Sequence, residues 1–354
     1  MRKTAIYRNE LFLQHQPGYG HPESPDRLRV IYDALDKDSL GSRFICPQFG
    51  PVTEDLLLLN HSAEHVQRVM ATQGHETVAL DPDTHASARS HEAACLAIGA
   101  VVDGIRRIFT GEIANAFCLV RPPGHHAEQM NAMGFCLYNN VAIATRWALR
   151  ELGLQRIMIV DWDLHHGNGT QESFHDMQEV LYLSVHKYPY YPGTGAVLEN
   201  GTDKGEGYTI NVPLPGGQGD LEYARIFNEL VIPIVHAYQP ELILVSCGFD
   251  ICMGDPLGDM RVTPAGIAYL TRSLVKAAAT VCGGRLLVTL EGGYNLNAMR
   301  DGALAVIGEL SGTAQESRWP VRLSTKEAEQ LAHNHADCPA LEQALLVCRE
   351  FWQI

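Results

Sequence analysis

The chain has 354 residues, of which 46% are apolar, and a formal net charge of −14. That length admits one large α/β domain or two smaller ones, and the apolar share suits a globular protein with a sizeable core. The charge argues against nonspecific binding to nucleic acid or an anionic membrane, and it would steer a cationic partner such as a lysine-rich tail favourably. No run of about 18 apolar residues exists to span a bilayer, and no apolar leader segment follows Met1-Arg2-Lys3. The nine cysteines include no CxxC pair. Free buried thiols in a reducing cytoplasm are the expectation.

Short apolar, β-branched runs recur in chain order. Thr4–Tyr7 is the first, followed by Ala116–Val120, Arg156–Asp161, Val180–Val185, Tyr208–Leu214, Leu242–Phe249 and Arg285–Glu291. Amphipathic stretches separate several of them: His91–Ile108, Asn140–Leu152, Leu221–Ala237 and Pro264–Thr280. This alternation predicts an α/β fold with a mainly parallel sheet and helices on both faces. No Ser/Gly-rich linker or charge block divides the chain, so residues 1–354 read as a single domain. From about residue 312 onward there is no strand signal, and helical packing at the periphery is expected.

The polar residues of interest all follow an apolar run. They are His125-His126, Asp161 to His165, His186, Asp250 to Asp255 and Tyr294. In an open parallel sheet, ligands bind at the carboxyl ends of the strands, so these segments would converge on one crevice. Asp161, Asp163 and His165 are spaced two apart, which on an extended strand end projects them to one side. Asp163 and His165 could reach one cation, and the loop Gly248–Gly258 offers Asp255 as a third ligand. Two carboxylates and an imidazole with open positions suit a catalytic zinc or iron(II) site. Any one of these residues alone is more simply a cap or a core group. His61 and His65, four apart without a following Glu, are not an HExxH motif and read as packing residues.

An activated water needs a proton acceptor, and a leaving amine needs a donor; histidine suits both. Two adjacent imidazoles would not both be charged, so His125 and His126 should differ in role. Pro122, Pro123 and Gly124 would hold the pair in a sharp turn. Asp161 and Asn168 are the natural partners for their far nitrogens. Glu291-Gly292-Gly293-Tyr294 ends the last strand. Its glycines would open the backbone to substrate, and its tyrosine could donate to a developing oxyanion.

These motifs, in this order, closely resemble the zinc-dependent histone deacetylases and their bacterial relatives, which include acetylpolyamine amidohydrolases. The resemblance runs over about residues 4 to 310 and rests on several segments. They are His21-Pro22-Glu23-Ser24-Pro25-Asp26-Arg27, Arg121 to Ala127, Gly134-Phe135-Cys136, Asp161 to Gly169, Pro192-Gly193-Thr194-Gly195, Gly248 to Gly258 and Leu290 to Asn295.

It implies the arginase/deacetylase fold with an eight-stranded sheet, and a zinc ion held by Asp163, His165 and Asp255. It further implies hydrolysis of an acyl-lysine amide, with His126 as general base then acid, His125 acting electrostatically beside Asp161, and Tyr294 polarising the carbonyl. Gly134, Phe135, Tyr191 and Leu257 would line the substrate tunnel, and Arg27 would stand near an inner cavity. Structural potassium is implied at Asp161, Asp163, His165, Ser184 and Val185, and again near Phe174, Val180 and Tyr208.

Asn168 and the Leu290-Glu291-Gly292-Gly293-Tyr294 run look like the class II branch. Leu257 offers no charge to an ammonium group, which favours a protein or peptide acyl-lysine over a small acylated polyamine. Asp81 and Asp83 could lie at the rim. A binuclear ureohydrolase or a silent scaffold of the same fold is the more distant alternative, and homo-oligomers are compatible with any of these.

Overall fold

Seven apolar runs form one sheet in a computed structural model that describes residues 3–37, 43–316 and 318–354. The strands are β1 (Thr4–Tyr7), β2 (Asn115–Cys118), β3 (Ile157–Asp161), β4 (Val180–Lys187), β5 (Thr209–Leu214), β6 (Leu242–Cys247) and β7 (Leu286–Leu290). Their spatial order is β1-β2-β7-β6-β3-β4-β5, and every pairing is parallel. All residues of β2, β3, β6 and β7 are buried, as expected for strands covered on both faces.

The eight-stranded sheet implied by the family resemblance has seven strands among the described residues, and Val78–Ala79 pairs with His85–Ala86 in a separate two-stranded sheet. Ile45 pairs with the edge strand β1 through a single bridge, exchanging bonds with Thr4 and Ile6 at 2.9 and 2.8 Å. Pro47, two residues on, has no N–H to extend that ladder.

The helices are α1 (Asp26–Asp36), α2 (Ser90–Phe109), α3 (Asn140–Leu152), α4 (Asn168–Phe174), α5 (Asp220–Ile226), α6 (Ile232–Tyr238), α7 (Pro264–Val281) and α8 (Leu296–Ser311). Their ends carry the expected chemistry. The Asn139 side chain accepts the Ala142 N–H at the start of α3, and Gly153 closes it at φ 65°. The helix expected over 221–237 is broken by a π-turn at Phe227–Val231. Pro233 cannot donate the bond that a regular turn would require there. Among the described residues no helix is long and apolar enough to cross a membrane.

Past Gly312 come α9 (Thr325–Ala332) and α10 (Pro339–Cys348). The indole N–H of Trp352 donates to the Gly207 carbonyl at 2.8 Å, and its ring packs edge-on to Tyr208. With α10 packed on β5, this segment covers the sheet's outer edge.

One buried ionic cluster fastens the N-terminal segment to the loop after β2. Glu23, Arg27 and Arg121 are all fully buried. Arg27 Nη1 donates to Glu23 at 2.8 Å and Arg121 Nη2 donates to it at 2.7 Å; Arg121 Nε is a further partner. Arg121 also donates to the carbonyls of Phe12 and His15. Burial works against a charged Glu23, yet Arg121 holds its carboxyl well below the usual range. A depressed folded value adds stability above the ordinary glutamate range, and that stability is lost as pH falls through the folded value. Glu23→Ala leaves two buried guanidinium groups short of their counter-charge and is expected to cost about 3–5 kcal/mol. Urea unfolding at neutral pH measures this, and a loss under about 1 kcal/mol would show the cluster to be dispensable.

Candidate active site

The sheet reverses its winding around its four central strands, β2, β7, β6 and β3, and the polar segments leave their carboxyl ends side by side. β3 ends on Asp161, whose register partners on either side are Ser184 and Ser246. From there the chain turns tightly. Asp161 Oδ1 accepts the Asp163 N–H at 3.1 Å, and Asp163 Oδ1 accepts the His165 N–H at 2.9 Å. These local bonds aim both side chains inward.

His165 Nδ1 lies 3.2 Å from Asp163 Oδ1 and 3.1 Å from Asp250 Oδ2. Ligand atoms of Asp163, His165 and Asp250 all fall within 4.8 Å of one another, and all three residues are buried. Two ligands at about 2.0 Å from a tetrahedral cation stand about 3.3 Å apart, so this spacing fits a divalent ion. One imidazole N–H cannot bridge two carboxylates equally well, whereas a cation can. Burial raises the Asp250 carboxyl to about 7, and the neighbouring Asp163 charge adds to this. Burial alone would lower His165, but its bonds to Asp163 and Asp250 raise it to about 9.

Asp250 stands in this group of three, whereas Asp255, the third ligand expected from the family resemblance, does not. The Asp255 carboxylate is occupied with backbone: Oδ2 accepts from Tyr294 and Asn295 at 2.7 and 3.0 Å, and Oδ1 accepts from Leu257 at 2.9 Å. It thereby caps the turn under Tyr294, and its charge also acts on Asp250. Both aspartates follow β6 in the same loop, and spacing alone did not separate them.

The adjacent histidines sit with ring centroids 4.1 Å apart. His125 Nδ1 meets Asp161 Oδ2 at 3.1 Å, and the Tyr182 hydroxyl donates to the same oxygen at 3.0 Å. Burial opposes charge on His125, yet Asp163 and Asp161 raise it to about 10. His126 moves the other way, well below its ordinary value, through burial and then the charges of His125 and His165. The two rings are thus shifted in opposite directions.

His126 Nδ1 meets Asn168 Oδ1 at 2.8 Å, and Asn168 Nδ2 donates to Glu128 Oε1 at 2.9 Å. Glu128 thereby fixes which end of the amide faces His126. An accepting Oδ1 requires a proton on Nδ1, so Nε2 keeps its lone pair.

A cavity of about 180 Å³ rises from this cluster. His126, His165 and Tyr294 line it together with Gly134, Phe135, Tyr190, Tyr191, Leu257 and Asp83. The Phe135 and Tyr294 rings meet edge to face at 5.9 Å, and Tyr191 stands edge-on to His126 at 5.2 Å. The Tyr190 hydroxyl donates to the Leu257 carbonyl, tying two walls together. Gly134 has φ +56°, and a Cβ there would stand 2.2 Å from His126 Cδ2, so only glycine fits. Gly292 plays a different part from that expected of an open turn. Its N–H donates to Asp163 Oδ2 at 2.8 Å, and an added Cβ would strike Asp250 Oδ2 at 2.4 Å. The glycine makes room for carboxylates.

Arg27 sits behind Tyr294, with its guanidinium 5.1 Å from the ring centroid. It donates to the carbonyls of Gly293 and Glu291, which fixes the backbone that carries the tyrosine. Of the segments linked above to potassium, Ser184 and Val185 lie on β4 beside Asp161, and the Ser184 hydroxyl meets His186 Nδ1 at 2.9 Å. The carbonyls of Phe174 and Tyr208 accept from Met177 and Tyr182, and Val180 opens β4. Asp83 joins the cavity lining, whereas Asp81 turns back to accept the Asp83 N–H. Glu128, Tyr182 and the Glu291 side chain escaped the sequence reading. Glu128 follows the histidine pair directly in Ala127-Glu128, and that proximity was the available signal.

Residues 21–310 match the family model described as histone deacetylase domain. Histone deacetylase 15 of Arabidopsis thaliana is 44% identical over 324 residues, which cover 90% of this chain and 57% of that protein. A probable deacetylase of Archaeoglobus fulgidus is 38% identical over 313 residues, covering 87% of this chain and 86% of the other. For histone deacetylase clr3 of Schizosaccharomyces pombe the identity is 38%, with 82% of this chain and 45% of that protein covered. The chain thus spans about half the length of these plant and yeast relatives. The crystal structure of the HDA15 HD domain superposes with a TM-score of 0.88 at 40% identity, covering 99% of this chain and 95% of that one. Likeness of this extent in both sequence and fold leaves one conclusion: the chain belongs to the histone deacetylase family.

Proposed function

We propose that this protein is a metal-dependent amidohydrolase that removes acetyl or another short acyl group from the side-chain amine of lysine. One observation carries the reading. His126, with its Nε2 free, and His165 of the Asp163–His165–Asp250 cluster line one cavity together with Phe135, Tyr191 and Tyr294.

Zinc or iron(II) suits two carboxylates and an imidazole, and either would polarise the amide carbonyl and lower the pKa of water. The chain's own residues do the rest. His126, neutral and with Nε2 free, takes the proton of the attacking water and later delivers one to the departing amine. His125, held cationic by Asp161 and Asp163, stabilises negative charge developing beside it. The Tyr294 phenol, raised well above its ordinary value by burial, stays protonated and can donate to the carbonyl oxygen. Phe135 and Tyr191 give an apolar sleeve for the methylene stem of lysine. The segments around Ser184 and Phe174 are the places we assign to structural potassium.

Metal content separates the two aspartates. Asp250→Ala is expected to lose bound zinc and turnover together. Asp255→Ala is expected to keep its zinc and lose activity through a displaced Tyr294. The opposite pattern in elemental analysis would return Asp255 to the ligand set.

Leu257 offers no charge to a distal ammonium, and Asp83 in the same lining can accept from a peptide backbone, so acyl-lysine peptides are favoured over acylated polyamines. Steady-state rates on an acetyl-lysine peptide and on N-acetylputrescine test this, with His126→Ala as the blank. A kcat/KM preference for the peptide is expected. A preference for the polyamine would keep the chemistry and overturn the substrate class, and turnover of neither by zinc-loaded protein would contradict the proposed activity.

A further inference from the structure

Glu291 has no part in the chemistry described so far, although it is fully buried beside it. It leaves the end of β7, which lies between β2 and β6 in the sheet. Its Oε2 accepts the backbone N–H of Gly124 at 2.7 Å and that of His125 at 3.2 Å. Its Oε1 accepts the Ser246 hydroxyl from β6 at 3.2 Å. One side chain therefore ties the loop beyond β2 to the ends of the next two strands. The same loop is held on its other side by Asn140, whose Nδ2 donates to the Pro122 carbonyl at 3.1 Å.

The need for such a brace is physical. β2 ends at Cys118, so the amides of Gly124 and His125 lie beyond the reach of the sheet ladder. Pro122 and Pro123 bring no N–H of their own to anchor the turn. A buried N–H without an acceptor costs about 1–3 kcal/mol, and a loop free to search for one would move the two imidazoles with it.

We propose that Glu291 is a positioning residue, which holds the Gly124–His125 backbone and so sets His125 and His126 against the Asp163–His165–Asp250 cluster. The proposal rests on the amidohydrolase reading for its effect on turnover. What matters is the reach of the two acceptor oxygens, not the charge. The charge on His125 comes chiefly from Asp163 and Asp161, ahead of Glu291. Burial raises the Glu291 carboxyl itself to about 7, and both of its protonation states present an acceptor oxygen to the loop.

Two conservative variants separate reach from charge. Glu291→Asp keeps the charge and withdraws the carboxylate by one methylene. Glu291→Gln keeps the reach and removes the charge, because its carbonyl can accept both amides while Ser246 turns to accept from its NH₂. Three quantities are read in the full-length zinc-loaded protein: kcat and KM on an acetyl-lysine peptide, zinc content, and amide hydrogen exchange over residues 121–127.

Glu291→Asp is expected to lose about 100-fold in kcat with KM little changed, the scale of a loss caused by misplacement at a distance. Its zinc should be retained and exchange over 121–127 should be faster. Glu291→Gln should recover most of kcat and the slow exchange. An active Asp variant beside an inactive Gln variant would overturn the proposal in favour of charge, as would unaltered exchange in Glu291→Asp. If the unmutated protein turns over no acyl-lysine, the amidohydrolase reading fails, and the exchange data still decide whether Glu291 holds the loop.

Discussion

Asp161, Asp163 and Asp250 place three fully buried carboxylates at the ends of two neighbouring strands, and the architecture around them follows from that concentration of like charge. Unpaired, such groups would be neutral or would not be buried. Here each is met by donors: the N–H groups of Asp163, His165, Leu164 and Gly292, the Tyr182 hydroxyl, and the imidazoles of His125 and His165. A divalent cation would complete this set of counter-charges, and the missing Cβ of Gly292 makes room for the carboxylates of Asp163 and Asp250. The carboxylates also raise His125, whereas burial and then the charges of His125 and His165 lower His126.

The surrounding structure holds this cluster rigidly. Parallel strands bring the four segments to one edge, and side chains from outside then fix each loop. Glu128 orients Asn168, Asp255 caps the turn under Tyr294, and Arg27 pins the carbonyls on either side of Gly292. Arg27 is held in turn by Glu23, which also holds Arg121. The N-terminal segment thereby supports an apparatus built from residues more than a hundred positions away. Fixed geometry of this kind is what the positioning of reacting groups requires.

Much of this was legible in the chain itself. The apolar runs located every strand of the sheet to within a few residues, because strands buried on both faces have little freedom in composition. Asn140–Leu152 was read with its observed ends, where Asn139 caps and Gly153 stops the helix. The histidine pair, Asp163 and His165 stood out because each follows an apolar run, and Gly134, Phe135, Tyr191 and Leu257, named from the family resemblance, line one cavity. The sequence pointed to Asp255 as the third ligand, and the structure groups Asp250 with Asp163 and His165. Asp250 and Asp255 lie in one loop, and only its tertiary path shows that Asp255 folds beneath Tyr294 while Asp250 faces His165. The eighth strand failed for a similar reason, since a single bridge at Ile45 followed by Pro47 does not make a strand. The side-chain partners Glu128, Glu291 and Tyr182 act across long sequence separations, and no local pattern marks them.

The central claim is the ligand set, and a zinc-edge anomalous diffraction map of the metal-loaded protein tests it most directly. The account requires one strong peak at about 2.0–2.2 Å from an Asp163 oxygen, His165 Nδ1 and an Asp250 oxygen. A peak bound by Asp255, or one lying away from His165, would contradict it.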